Sequence, residues 1–226
     1  MDLHSYPARN SSSRGVERAA QTLCDRGRAE RCEQDNIGRI MDIAQAKRKE
    51  NIAEYILYLW QLEDMFRALQ FSPEAIYSQL VAPRQVDEEQ KHLFLLWYMD
   101  IVNLLRKEGK EQNGHLEHTL HLIADMHNLH LQLMQLPIGE KYRRQFALLE
   151  PHLPRLRAML QKSDITDTEL SFRALYATIL YRIKGDEQRA QAIGDVQELI
   201  SPVIALLADM YGKVERGEVD LFDDKQ

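Results

Sequence analysis

The chain has 226 residues, a formal net charge of −6 at pH 7 and two cysteines, Cys24 and Cys32. Nucleic acids and anionic membranes require a basic field on their protein partners, so we expect the chain to bind neither. No cysteine follows Cys32, so the rest of the chain can contain no disulfide framework, no thiolate metal site and no cysteine nucleophile.

Residues 1–40 differ in composition from the rest of the chain. All ten lysines lie at or after Lys47, whereas this first segment is rich in Arg and Ser and has no apolar periodicity. Such a segment buries too little apolar surface to fold, so we predict a disordered leader outside the native domain. A functional tail or a transit-like leader is the alternative. We place the domain at residues 41–217 and an acidic C-terminal tail at 218–226.

Every element predicted downstream is a helix, because apolar residues recur at helical spacing and no segment alternates with period two. Apolar spacing, capping residues and the Gly and Pro positions bound these helices at residues 42–70, 73–81, 87–108, 115–136, 140–149, 167–184 and 188–215. A further helical run follows Pro154 and extends to residue 162. We expect a break or kink at Pro202 in the last helix. The first and third helices are apolar on nearly every side, which predicts that they are central. The sequence therefore predicts an all-α protein, a single bundle of six or seven helices around two central apolar helices.

Three stretches of this sequence resemble a bacterial family of unknown function. They are IAQAKRKENIAEYILYLWQLED at residues 43–64, PEAIY at 73–77 and LLEPHLP at 148–154. The resemblance extends over residues 42–215. It implies an all-helical cytoplasmic protein whose activity is unassigned, and it identifies no catalytic or ligand-binding residue.

The fourth helix carries five of the eight histidines. Helical spacing places His118, His121 and Asp125 on one face, away from the apolar residues, where two imidazoles and a carboxylate could hold a divalent metal ion. An exposed polar helix face is the alternative interpretation. His115, His127 and His130 lie on or beside the apolar face, and we expect them in the core or in an interface.

Three polar residues interrupt the two apolar helices and are candidates for ligand binding: Asn51, Glu63 and Asp100. A buried carboxylate must be paired, protonated or functional. A structural pairing of these acids with Arg67, Arg106 or Arg173 is one interpretation. A polar pocket for a ligand between the helices is the other.

Two further patterns have ordinary explanations. Glu89 and His92 have the spacing of a di-iron ligand pair, but a carboxylate-bridged site needs a second pair that the sequence lacks. Lysine and arginine residues cluster along the fifth helix and the helical run after it, where they could meet a phosphate or an acidic partner or form a solvated face. The cluster contains Lys141, Arg143, Arg144, Arg155 and Arg157.

No catalytic constellation is recognisable, so the sequence favours a non-enzymatic module that docks onto a second copy or another protein, or acts as a scaffold. The alternative is a small-molecule or metal-binding bundle, with or without enzymatic activity, that uses the buried carboxylates or the histidines of the fourth helix. We expect no cofactor. The densest apolar stretch, residues 93–105, is too short to span a bilayer and no secretory signal is evident, which predicts a cytoplasmic protein.

Overall fold

The computed structural model describes residues 48–221, all of which belong to one compact unit, Ala44–Gln226. The predicted leader at residues 1–40, with Cys24 and Cys32, lies outside the described residues, as do residues 222–226 of the predicted tail. The assignment of both segments stays a prediction.

From Ile52 onward the described residues form eight α-helices, and no strand occurs among them. The helices are α1 (Ile52–Ala68), α2 (Pro73–Ile76), α3 (Glu88–Lys107), α4 (Glu117–Gln135), α5 (Glu140–Leu149), α6 (Leu153–Leu160), α7 (Asp167–Ile183) and α8 (Glu187–Glu215). A π-helical turn, Tyr77–Val81, extends α2, and 3-10 turns at Pro137–Gly139 and Glu150–His152 precede α5 and α6. The all-α prediction is confirmed, with eight helices instead of six or seven.

The first helix is interrupted at Asn51, where the sequence predicted one helix over residues 42–70. Asn51 has an extended backbone, with φ −157° and ψ 105°, and its Oδ1 accepts hydrogen bonds from the N–H groups of Ala53 and Glu54 at 3.0 and 3.3 Å. An asparagine side chain competes with the backbone in this way and is among the preferred N-caps. Residues 48–50 are helical before it, so α1 is a new helix that begins at Ile52.

Three other helices begin at side-chain caps. Ser72 and Thr166 precede the predicted helices, whereas Asp87 was predicted to lie in the first turn and is the cap. Ser72, Asp87 and Thr166 each accept a hydrogen bond from a backbone N–H in the first turn of the following helix. At Thr166 the capping box is half formed, because the carboxylate of Glu169 binds the Arg173 guanidinium at 2.8 Å instead of turning back to the cap. Arg173, held by this ion pair, lies beside the candidate site described below.

The last helix, α8, continues through Pro202, where the sequence predicted an interruption. A proline inside a helix donates no N–H to the carbonyl four residues earlier. Ile200 and Val203 on either side of it are buried, with 0% and 2% exposure, and this packing holds both halves in one helix. The helix is therefore not broken at Pro202, and the kink predicted as the alternative stays a prediction.

The core lies between α1, α7 and α8. The longest helix, α8, packs along α7 and against α5, and α1 contacts α3, α7 and α8. Ile56, Trp60 and Phe66 of α1 are fully buried, as expected of a central helix. By contrast, α3 exposes Asp100 and 43% of Leu104, so one of its faces is open to solvent. Within the described residues no helix combines the length and the apolar character needed to cross a membrane.

Candidate functional site

A buried carboxylate–imidazole pair lies at the junction of α1 and the turn that leads into α4. The Glu63 side chain has no exposed surface. Its Oε2 lies 2.7 Å from Nδ1 of His115, and its Oε1 accepts a hydrogen bond from the Leu116 N–H at 3.2 Å. A guanidinium nitrogen of Arg67 lies 4.0 Å from the same carboxylate. The carboxylate therefore has the partners that burial of its charge requires.

Arg67 also holds the turn that carries His115 against α1. Its guanidinium donates to the Lys110 carbonyl at 2.9 and 3.2 Å and to the Gly114 carbonyl at 2.5 Å. Gly114 has a φ of +86°, which residues with a Cβ rarely adopt. The chain can therefore reverse there, and the next residue, His115, meets Glu63.

Aromatic rings fix the plane of the His115 imidazole. The ring stacks on the Trp60 indole with centroids 3.9 Å apart and an interplanar angle of 11°, and the Tyr176 ring meets it edge-on at 5.6 Å. The Trp60 N–H donates to Oγ1 of Thr119 at 3.0 Å, and this hydroxyl donates to the Leu116 carbonyl at 2.8 Å. The stack is thus anchored to the first turn of α4 by buried hydrogen bonds.

Tyr176 on α7 connects the same cluster to Asp64. Its hydroxyl lies 2.5 Å from Oδ2 of Asp64, whose other oxygen lies 2.7 Å from the Arg67 guanidinium. Burial raises the pKa of Tyr176, and the hydrogen bond to Asp64 and the negative charges of Asp64 and Glu63 raise it further. Tyr176 therefore remains protonated near neutral pH and acts as a hydrogen-bond donor there.

A cavity of about 320 Å³ adjoins this cluster. Its volume lies at the small end of the roughly 300–1,000 Å³ typical of ligand pockets. The polar side chains of its lining come from α1, α7 and the segments before α4 and α7, and the apolar ones from α6 and α7. The polar group is Asp64, Arg67, Gln112, Asn113, His115, Lys162, Arg173 and Tyr176, and the apolar group is Leu160, Ala177 and Leu180.

His115 brings an unoccupied hydrogen-bonding atom to this cavity. The residue is 9% exposed, and Nε2 has no protein partner among residues 48–221. With Glu63 as a carboxylate that accepts hydrogen bonds at both oxygens, the hydrogen of a neutral His115 imidazole would lie on Nδ1. Nε2 then carries a lone pair, so it can accept a hydrogen bond or a proton from a bound molecule.

A larger surface cavity, of about 940 Å³, lies beside Pro202 of α8. Its lining contains no buried residue, and the side chains there are mostly exposed and polar. Volume alone does not make a site, and a ligand there would stay largely in contact with water. The smaller cavity at His115 is the better candidate because it adjoins a buried, oriented polar cluster.

The three residues predicted to bind a ligand are not brought together. Asn51 caps α1, and its amide also donates to Oε1 of Glu54 at 2.9 Å. Asp100 is exposed on α3, where a buried acid was expected. Only Glu63 lies in a buried polar cluster. Its closest partner is His115, and Arg67, one of the three arginines predicted as partners, lies 4.0 Å from the carboxylate.

The predicted metal ligands on α4 do not form a metal-binding group. His121 and Asp125 are exposed, and Nε2 of His118 lies 3.3 Å from the Tyr55 hydroxyl. In the part of the chain that the structure describes, no three His, Cys, Asp or Glu side chains are arranged to hold a metal ion. Glu89 and His92 are both exposed on α3.

Two arginines of the predicted basic cluster stabilise helix ends. Arg143 donates to the carbonyls of Leu133 and Leu136, which close α4. Arg157 donates to the Ile165 carbonyl at 2.6 Å and forms an ion pair with Asp167 at 2.5 Å. Because these guanidinium groups are engaged within the protein, the cluster offers fewer cations to a phosphate or an acidic partner than the sequence suggests.

The histidines placed beside the apolar face are in the core, as predicted. His115 and His130 are buried, and His127 is partly buried with Nδ1 3.2 Å from Oγ1 of Thr168. The sequence did not indicate that His115 pairs with Glu63, since 52 residues separate the two. The available signals were a glutamate inside an apolar helix and a histidine next to Gly114, just before an apolar helix.

Comparison with known proteins gives a family but no activity. A family model described as "Domain of unknown function (DUF4924)" matches residues 41–218. No curated protein and no solved structure matches the chain. The function must therefore be argued from the site itself.

Proposed function

The chain belongs to the DUF4924 family of unknown function, and we propose that it binds a small molecule in the cavity beside His115. The observation that carries the proposal is the orientation of His115. Glu63 and Trp60 fix the imidazole, while Nε2 is left without a protein partner at the cavity surface. Nε2 of His115 is not among the fully buried unpartnered atoms of the described residues, so it reaches the cavity surface, where a ligand could replace water as its hydrogen-bond partner.

The polar and apolar halves of the lining also support a ligand. Small-molecule sites combine apolar walls with a few convergent polar groups. Leu160, Ala177 and Leu180 supply the first feature, while His115 and Tyr176 belong to the second. The cluster behind them is rigid, because Arg67 and Glu63 hold the turn and Thr119 holds the indole.

A steric block tests the proposal. In Ala177→Phe the aromatic ring would occupy the cavity, whereas Ala147→Phe adds the same ring at an exposed position of α5 outside the lining. A small-molecule library screened by saturation-transfer NMR should yield compounds that bind the wild type and Ala147→Phe but not Ala177→Phe. The proposal fails if no compound binds, or if every compound binds both variants equally.

Tryptophan fluorescence supplies a second readout. The chain has two tryptophans, and Trp97→Phe would leave Trp60 as the only one. Because the Trp60 ring stacks on His115, occupation of the cavity should change its emission. If a compound binds without altering Trp60 emission, it binds outside the cavity.

Docking onto a second copy or another protein is the second candidate function. Its support is the exposure of four large apolar side chains: Leu104, Leu131, Leu148 and Ile183, the last with 72% exposure. They lie on four different helices, and single exposed apolar residues are common on protein surfaces. Light scattering at high concentration tests self-association. If the wild type and Ile183→Ser both have the mass of a monomer, the protein does not self-associate through Ile183.

A further inference from the structure

Among the described residues, the charged side chains around the cavity are paired with one exception. The cavity lining contains three permanent cations, Arg67, Lys162 and Arg173, and one carboxylate, Asp64. Asp64 pairs with Arg67 at 2.7 Å, and Arg173 pairs with Glu169 at 2.8 Å. Lys162 has no ion-pair partner within residues 48–221. A negatively charged group in the cavity would therefore meet an unneutralised ammonium group.

The remaining lining defines what else the ligand must carry. Leu160, Ala177 and Leu180 offer an apolar surface, which a bare inorganic anion could not use. Nε2 of His115 accepts a hydrogen bond while the imidazole is neutral, so a hydroxyl or N–H donor on the ligand would satisfy it. An anion that has no hydroxyl or N–H group would instead face the lone pair of Nε2.

From these features we propose that the ligand is a small organic acid. Its acidic group uses Lys162 as counter-ion, its apolar part packs on Leu160, Ala177 and Leu180, and a hydroxyl or N–H group donates to Nε2 of His115. This inference rests on the proposed small-molecule function and adds the chemical class of the ligand.

A set of four related probes separates the three features. The reference is 4-hydroxybenzoate, which has a charge, a ring and a hydroxyl. In 4-hydroxybenzamide the charge is removed and in benzoate the hydroxyl is removed. Acetate lacks both the ring and the hydroxyl, so the effect of the ring is read from the comparison of acetate with benzoate. Titration calorimetry and Trp60 emission in the Trp97→Phe background should rank the reference as the tightest of the four. Ala177→Phe should abolish its binding.

Lys162→Glu and Lys141→Glu are matched variants, because they change the net charge equally. Both lysines are exposed, but only Lys162 lines the cavity. We expect Lys162→Glu to weaken 4-hydroxybenzoate about tenfold, since an attraction becomes a repulsion of similar size, and to change 4-hydroxybenzamide less than about twofold. Lys141→Glu should affect neither probe.

The outcomes separate the two proposals. If the neutral amide binds as tightly as the acid, or if Lys162→Glu weakens both equally, the ligand is not an acid, although the cavity still binds small molecules. Equal binding of benzoate and 4-hydroxybenzoate overturns the role assigned to Nε2. If none of the four probes binds and the wider library also yields nothing, the small-molecule function itself fails.

Discussion

Replacing Glu63 with glutamine would isolate what the carboxylate charge does to His115, because the two side chains have nearly the same shape. The amide oxygen of the substituted side chain could still accept from the Leu116 N–H. The amide N–H₂ would then face Nδ1 of His115, which must become an acceptor. We therefore expect Glu63→Gln to move the imidazole hydrogen from Nδ1 to Nε2. Two-dimensional ¹H–¹⁵N spectra of the ring nitrogens distinguish these tautomers.

The size of the stability change follows from the bonds that Glu63 makes. Two charge-assisted hydrogen bonds would become neutral ones, falling from about 1.5–3 to about 0.5–1.5 kcal/mol each. Burying an amide costs less than burying a carboxylate, which offsets part of that loss, so we expect a net loss of about 1–2 kcal/mol. Glu63→Leu instead leaves the Leu116 N–H and the His115 Nδ1–H without partners, at about 1–3 kcal/mol each.

Urea unfolding measures this order, provided that the m value is constant across the variants. Glu198→Gln, at an exposed glutamate of α8, is the control and should stay within about 0.5 kcal/mol of the wild type. If Glu63→Gln is as damaging as Glu63→Leu, the two hydrogen bonds are not what Glu63 contributes. If the tautomer is unchanged in Glu63→Gln, the assignment of a lone pair to Nε2 is wrong.

Three further changes test the fold by urea unfolding. Asn51→Ala should cost about 1 kcal/mol through loss of the α1 cap, whereas Asn103→Ala, exposed within α3, should not destabilise. Gly139→Ala should lower the free energy of unfolding by more than about 2 kcal/mol, because a Cβ there would lie 1.8 Å from the Leu133 carbonyl oxygen. Gly194→Ala is the control: a Cβ there meets nothing within 4 Å and should raise the free energy of unfolding by about 0.5–1 kcal/mol. Burial lowers the pKa of His130 below 6.5, and repulsion from a neighbouring imidazole lowers it further. Just below pH 6.5 the His130 side chain is therefore neutral in the folded state but binds a proton in the unfolded state. Stability should therefore fall as the pH drops below 6.5, and His130→Gln should reduce this dependence; an equal dependence in the variant would assign it to other groups.

The helices could be predicted from the sequence because their signals are local. Apolar spacing and the caps at Ser72 and Thr166 act within a few residues, and they predict the helix positions closely. At Asn51 a local signal was present but was interpreted as part of one long helix. At Pro202 a local signal for interruption was overridden by packing on both sides of the proline, which no local rule includes.

The candidate site could not be assembled in the same way. Glu63 and Asp100 both interrupt apolar runs, and the sequence does not distinguish them. They differ because α1 is covered on nearly every side, whereas one face of α3 is open to solvent. Which partner reaches Glu63 depends on the turn at Gly114 and on Arg67, which binds that turn and approaches Glu63 only to 4.0 Å. Contacts between residues so far apart in the sequence produce no periodic pattern from which they could be predicted.

Stability alone is a weak explanation for Glu63 and His115. A buried carboxylate and its partners can often be replaced by well-packed apolar residues with little loss, or even a gain, because the cost of burying the charge offsets most of the attraction. An apolar pair would also fill the space beside Trp60 without requiring Arg67 to approach the carboxylate. What an apolar pair could not do is present a nitrogen of fixed tautomer to the cavity. The polar pair therefore has a property that folding does not require, and this favours a role in binding a ligand.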